Sequence, residues 1–337
     1  MPPLATIGIL SIGEMGMSFA KLLVAHNYRV VTNLEGRSAE TQTRVKAASI
    51  ESLPSDTSLV TESDYIFSIV PPRDAVATAK RITSAFAAIS TPRSAPLYYL
   101  DLNAISPNSA RSIATLISTE APEIKFLDGG IIGDPPSRKD ASAQPTTTSS
   151  NPPTSHTWNR PSVPVSGPDP LSEAPISGPT LEALLNVKHI SSEIGPASGL
   201  KMCFATTTKG FTALCIQAFT TASRLGVLNE LKSEMSERIP GLYKASGGVV
   251  NMAPKAYRWV EEMKEIGRTH GMDGGFDFEG RDGDRGIFDA VGEVYRVVAD
   301  ETVLGEEKTE RRKRGRTVDD VALAVGDGLA AKRKKDE

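Results

Sequence analysis

Residues 7–16 read IGILSIGEMG. An apolar run ends in a tight turn, and the turn opens into an amphipathic stretch, MGMSFAKLLVAHN (15–27). Strand–turn–helix units of this kind cradle a pyrophosphate. One glycine permits the turn, a second lets the backbone approach the phosphates, and a third lets the helix pack on the strand. Gly13 and Gly16 supply the second and third. Ser11 stands where the first would be, at some cost in turn geometry. On this stretch alone, an ordinary βα turn is the competing reading.

Short β-like runs and amphipathic helices alternate through the next hundred residues. Strands are expected at 4–10, 28–33, 64–70, 96–102 and 125–131. Helices are expected at 15–27, 38–48, 74–89 and 107–117. Such alternation predicts parallel strands with right-handed crossovers, hence an α/β Rossmann-type doubly wound parallel sheet. The stretch from 134 to 162 is rich in Pro, Ser and Thr and predicts a disordered insert over about 136–160. VPVSG (163–167) and VKHISSEIG (187–195) read as the last strands. From Ala197 the pattern turns helical, with about 30 residues free of proline (198–227) and further helices at 225–237, 255–266 and 287–299. The expected division is a dinucleotide-binding domain over 1–196, an all-α domain over 197–304 and a charged, largely disordered tail over 305–337.

A chain of 337 residues has room for about two domains. A net charge of −3 argues against general affinity for nucleic acid or membrane. MPPLATIGIL has no basic n-region, so no signal peptide is expected. Cys203 and Cys215 are twelve residues apart in one expected helix and cannot easily bridge. His26, His156, His189 and His270 show no metal-ligand spacing, so no metal is expected. The clusters RRKRGR (311–316) and KRKK (332–335) resemble nuclear-import signals, although acidic residues are interspersed. The expected location is cytoplasmic, with the nucleus as the alternative.

The segment after the second strand, TNLEGRSAE (32–40), bears on the cofactor. Glu35 favours ribose hydroxyls and so NAD. Asn33, Arg37 and Ser38 favour a 2′-phosphate near a helix start and so NADP. The balance favours NADP, with NAD as the alternative. The phosphate-binding turn itself comprises Ser11, Ile12, Gly13, Glu14, Met15 and Gly16. Lys201 stands out because it opens an otherwise apolar helix. A lysine withheld from water is pushed toward its neutral form and can take a proton.

IGILSIGEMG resembles the opening of the β-hydroxyacid dehydrogenases, the group that contains 6-phosphogluconate dehydrogenase and 3-hydroxyisobutyrate dehydrogenase. Four later stretches resemble family segments in order: SIVPPRDAV (68–76), DLNAISP (101–107), FLDGGIIGDPP (126–136) and GPASGLKMCFA (195–205). KAYRWVEEMKEI (255–266) further resembles a subgroup with a 6-phosphogluconate dehydrogenase-like C-terminal domain and an uncharacterised substrate.

The resemblance implies an NAD(P)-dependent dehydrogenase acting on a small hydroxy acid, commonly as a homodimer. It implies Lys201 as catalytic group, with Asn103 contacting substrate or nicotinamide. Val70, Pro71 and Pro72 would line the nicotinamide, and the backbone of Gly129, Gly130 and Gly133 would meet the substrate acid. Lys209, two turns further along the same helix, is the internal control for Lys201 and should tolerate alanine far better. The chain departs from the family at Ser11, at Ile132 (near a usual serine) and at Ala205, where an asparagine is usual. Thr206 and Thr208 are nearby polar groups. A non-catalytic NADP-binding regulatory or scaffold protein is the competing reading.

Overall fold

The computed structural model describes residues 1–36, 39–90, 93–139, 157–276, 286–307 and 312–336. The chain divides into two compact units, residues 1–201 and 202–337.

The first unit begins with β1 (Thr6–Leu10), α1 (Glu14–Val24), β2 (Arg29–Asn33), α2 (Ala39–Ala47), β3 (Glu51–Leu53), α3 (Asp56–Glu62) and β4 (Tyr65–Ser68). It continues through α4 (Ala75–Ala87), β5 (Leu97–Asp101), α5 (Pro107–Glu120) and β6 (Ile124–Gly129). A hairpin of β7 (Ser137–Arg138) and β8 (Trp158–Asn159) precedes β9 (Val163–Ser166), α6 (Gly178–Leu185) and β10 (Val187–Ser191). Eight strands form one sheet in the order β10-β9-β6-β5-β4-β1-β2-β3. The central strands are largely apolar and mostly buried, as helices on both sides require. Two apolar clusters result, one containing Ile7, Ile9, Phe19 and Leu22, the other Ile66, Ile82, Tyr99 and Ile113.

The doubly wound sheet is as expected, with one exception: β9 runs antiparallel to β6. Parallel return needs a crossover, usually helical. Here the chain returns through the small hairpin and an Ile132–Ser162 bridge instead. α6 then supplies the crossover that makes β9 and β10 parallel. The insert is narrower than the expected 136–160. Ser137–Arg138 pairs with Trp158–Asn159, and the Arg138 guanidinium lies 5.5 Å over the Trp158 ring. Trp158 is only 8% exposed, so its burial holds the hairpin down. Residues 140–156 lie outside the described residues.

The second unit is helical. α7 (Pro196–Ala205) runs into it through a π-turn (Thr206–Gly210) and continues as α8 (Phe211–Arg224). α9 (Leu228–Arg238), α10 (Pro240–Ser246), α11 (Gly248–Met252), α12 (Ala256–Arg268), α13 (Ile287–Asp300) and α14 (Val318–Asp336) follow. α8 packs on α14, and α12 packs on α13. The π-turn shifts the helical phase between α7 and α8. A second π-turn, Thr269–Asp273, carries His270, which shares a 2.7 Å hydrogen bond with Thr206.

One expectation fails in this unit. The tail is not largely disordered. Thr317 caps α14 through the Asp320 N–H, and Val321, Ala322, Ala324 and Val325 are buried. Much of its charge is internally matched: Arg314 bonds Asp320, Lys232 bonds Asp319 and Lys332 bonds Glu301. Lys209 is held from several sides. It pairs with Glu262 and lies 4.9 Å over the Trp259 ring, while its carbonyl accepts the Tyr295 hydroxyl.

Candidate functional site

β1 adjoins β4 and β2, and the chain moves outward from β1 first to one side of the sheet and then to the other. This reversal leaves a crevice at the C-terminal ends of β1 and β4, where α/β sheets hold their ligands. Because β1, β4, β5 and β6 are parallel, the loops that follow them emerge at the same edge.

In the first loop Ser11 has φ +73, the left-handed conformation in which a glycine would be unstrained. Ile12 is buried. Gly13 is exposed, and a Cβ there would meet nothing within 4 Å. A Cβ on Gly16 would lie 2.4 Å from the Ser11 carbonyl oxygen, so the close approach of turn and helix requires glycine. Glu14 is exposed and Met15 half-buried. No side chain caps α1. Its orphan N–H groups and positive dipole end, beneath the open space at Gly13, fit a pyrophosphate.

The second-strand residues divide. Asn33 donates to Asp56 (2.8 Å) and accepts from the Glu35 N–H (2.9 Å), so its amide shapes the turn. Glu35 is exposed. Arg37 and Ser38 lie outside the described residues.

Asn103 is 2% exposed. Its Oδ1 accepts from the Val70 N–H (2.7 Å) and its Nδ2 donates to Ser68 Oγ (2.9 Å). Its own N–H bonds Asp101 (3.0 Å). These bonds make Asn103 a brace that fixes the loop of Val70, Pro71 and Pro72 against the end of β5. Asp101 is fully buried, and burial pushes its carboxyl up to about 7. Its Oδ2 has no hydrogen-bond partner.

Of the glycines expected to meet the substrate, Gly129 and Gly130 are engaged within the sheet. Gly129 pairs with Val165 in the sheet, and the Gly130 N–H donates to the Pro164 carbonyl (3.0 Å). Gly130 therefore offers no backbone donor to a substrate. Its lack of a side chain matters instead, because a Cβ would lie 2.8 Å from Lys201 Cβ. Gly133, with φ +121, is exposed. Ile132 pairs with Ser162.

Lys201 passes over Gly130 and donates from Nζ to the Ile131 carbonyl (2.6 Å). Burial lowers its amine from 10.5 to about 8. Lys201 is the sixth residue of α7, so the helix dipole, which acts within the first turn, contributes little to this lowering.

Sequence reasoning passed over Asp128, which is fully buried at the end of β6. Its Oδ2 accepts from Ser166 Oγ (2.9 Å), the Gly195 N–H (3.0 Å) and the Ser198 N–H (3.1 Å). Its Oδ1 accepts the Ser198 hydroxyl. A carboxylate closing an apolar strand was the available signal, since a buried charge needs partners.

Both cysteines are free, and among the described residues no cluster could hold a metal ion. No helix among them is long and apolar enough to cross a membrane.

Comparison with known proteins agrees with this geometry. Residues 6–145 match the model for the NAD binding domain of 6-phosphogluconate dehydrogenase. Residues 222–298 match a domain of unknown function, DUF1932. An uncharacterized 28.5 kDa protein from the 7S RNA 5′ region of Methanothermus fervidus is 25% identical over 231 residues, 68% of this chain and 76% of that one. Among solved structures, a 3-hydroxyisobutyrate dehydrogenase from Salmonella typhimurium superposes with TM-score 0.62 at 16% identity, covering 95% of this chain and 99% of the other. The Mycobacterium tuberculosis 3-hydroxyisobutyrate dehydrogenase does so with TM-score 0.58 at 16% identity, covering 99% and 100%. The structural likenesses show the fold, and the two domain matches show its kind. The chain thus joins a segment that matches the NAD binding domain of 6-phosphogluconate dehydrogenase to a later segment that matches DUF1932.

Proposed function

We propose that this chain is an NAD(P)-dependent oxidoreductase that interconverts a small hydroxy acid and its carbonyl form, with Lys201 as general acid and base. The observation that carries the reading is the Lys201 amine, lowered to about 8 by burial and anchored on Ile131 in the loop after β6. An ordinary lysine at 10.4 is neutral in about one molecule per thousand near pH 7.5, whereas one at about 8 is neutral in roughly a quarter. Matching to the working pH is what proton transfer demands.

A nicotinamide bound at this edge would supply the hydride acceptor for the hydroxyl-bearing carbon. The chain's own residues do the rest. Lys201 takes the hydroxyl proton as the carbonyl forms and returns it in the reverse direction. The Ser11–Gly16 turn and the uncapped start of α1 hold the pyrophosphate. Asn103 positions the Val70–Pro72 loop without itself reacting. Arg37 and Ser38 favour NADP over NAD on sequence grounds, and Ile132 favours a substrate with fewer polar contacts than the family's usual acids.

The test is titration with NADPH and NADH, followed by a turnover screen of 3-hydroxy acids, including 3-hydroxyisobutyrate and serine. Nucleotide-dependent turnover with tighter NADPH binding is expected. Binding without turnover of any acid would overturn the catalytic reading in favour of a nucleotide-binding regulatory protein.

A further inference from the structure

We propose that Asp128 is a positioning residue, clasping the start of α7 so that Lys201 lies over Gly130 and reaches the Ile131 carbonyl. The proposal rests on the reading of Lys201 as the proton-transfer group. Two contacts, three residues apart on each element, carry it. Asp128 in β6 holds Ser198 in α7, and Ile131 just beyond β6 holds Lys201. Each joins residues 70 positions apart in sequence, so together they fix both the rotation and the height of the first turns of the helix.

The clasp suits an anion. All four groups directed at the carboxylate are donors: two hydroxyls and two backbone N–H groups. Ser166 Oγ also accepts from the Ala197 N–H (3.1 Å), extending the clasp by one residue of the helix. Burial pushes the Asp128 carboxyl above its ordinary value, and the bonds from Ser198, Ser166 and Gly195 oppose that rise by favouring the charged form. Asp128, Ser166 and Ser198 are all fully buried, so no water competes for these bonds. Gly195, at φ +119, allows the chain to turn its N–H inward, and a side chain there would strike Arg111.

The environment of Lys201 depends on this placement. Its stem fits only above a glycine, with Gly130 offering 2.8 Å to a Cβ. A helix released from Asp128 would let the amine swing out and regain water. Asparagine at 128 would present an amide donor to a site made of donors, leaving at least one buried N–H or hydroxyl unpaired. The clasp therefore acts on Lys201 through the helix, and Asp128 itself touches no reacting atom.

Competitive labelling of the full-length protein with acetic anhydride, quantified at Lys201 by mass spectrometry between pH 6 and 11, reads the amine without any substrate. In the wild type the labelling midpoint is expected near 8. In Asp128→Asn it should rise by at least about one pH unit toward that of a free lysine. Ser198→Ala removes one donor and should move it upward by less, and it decides the question if Asp128→Asn does not fold. NADPH affinity, set by the untouched Ser11–Gly16 turn, should stay within about twofold and certifies the fold. Midpoints unchanged in variants that bind NADPH normally would overturn the proposal. A wild-type midpoint near 10.5 would overturn the proton-transfer reading of Lys201 itself, which is a different failure.

Discussion

Replacing Lys201 by methionine should make the first unit more stable at neutral pH while removing its proposed chemistry. Holding an amine at about 8 that titrates near 10.5 when unfolded corresponds to roughly 3 kcal/mol of destabilisation of the charged form. Below pH 8 both states carry the proton and the full penalty applies. Between 8 and 10.5 the unfolded chain binds more protons, so wild-type stability rises with pH. Methionine has a similar length and no charge, but it leaves the Ile131 carbonyl without its donor, at about 1 kcal/mol. The net gain should be about 2 kcal/mol at pH 7, falling to about zero at pH 10. The chain has two tryptophans, Trp158 in the first unit and Trp259 in the second. Urea unfolding in a Trp259→Phe background therefore follows the first unit alone. A variant that is less stable at pH 7, or a difference that does not change with pH, would refute burial as the cause of the lowered amine.

Ser11→Gly should stabilise the first unit by up to about 1 kcal/mol, because φ +73 strains serine and not glycine; a lower melting temperature would count against the strain. Gly16→Val should abolish measurable NADPH binding in calorimetry, since a side chain there meets the Ser11 carbonyl at 2.4 Å; wild-type affinity would show that the turn does not hold the nucleotide. Lys209→Met should destabilise the second unit by about 2–3 kcal/mol, read from Trp259 in a Trp158→Phe background, because it leaves Glu262 without its ion partner at 13% exposure; a neutral result would place that pair among ordinary surface ion pairs.

Much of the fold was legible because its signals are local. The turn at Ser11–Gly16, the apolar strands of the sheet and the proline-free run of α7 and α8 each declare themselves within a dozen or so residues. What was missed depends on distant partners. The β7–β8 hairpin exists because Trp158 and Arg138 stack, with an intervening stretch whose composition reads as a loop. α14 was hidden by its charges, although Thr317 three residues before Asp320 was a capping signal. At the site, the turn and Lys201 could be read from sequence, while the use of the Asn103 amide and the Gly130 N–H could not. Both are engaged by Val70, Ser68 and Pro164, whose proximity only the sheet order creates. Asp128 was invisible for the same reason.

The central claim is that Lys201 moves the proton in a nucleotide-dependent oxidation, and its most direct test is the pH dependence of turnover in the wild type and in Lys201→Ala. With NADP and whichever 3-hydroxy acid the screen finds best, kcat/KM for oxidation should rise with pH to a plateau, with a midpoint near 8. In Lys201→Ala that limb should vanish and turnover should fall by about a hundredfold or more, the usual scale of acid–base catalysis. NADPH affinity should be unchanged within about twofold. A Lys201→Ala protein that keeps near-normal turnover, or retains the limb near pH 8, would contradict the account.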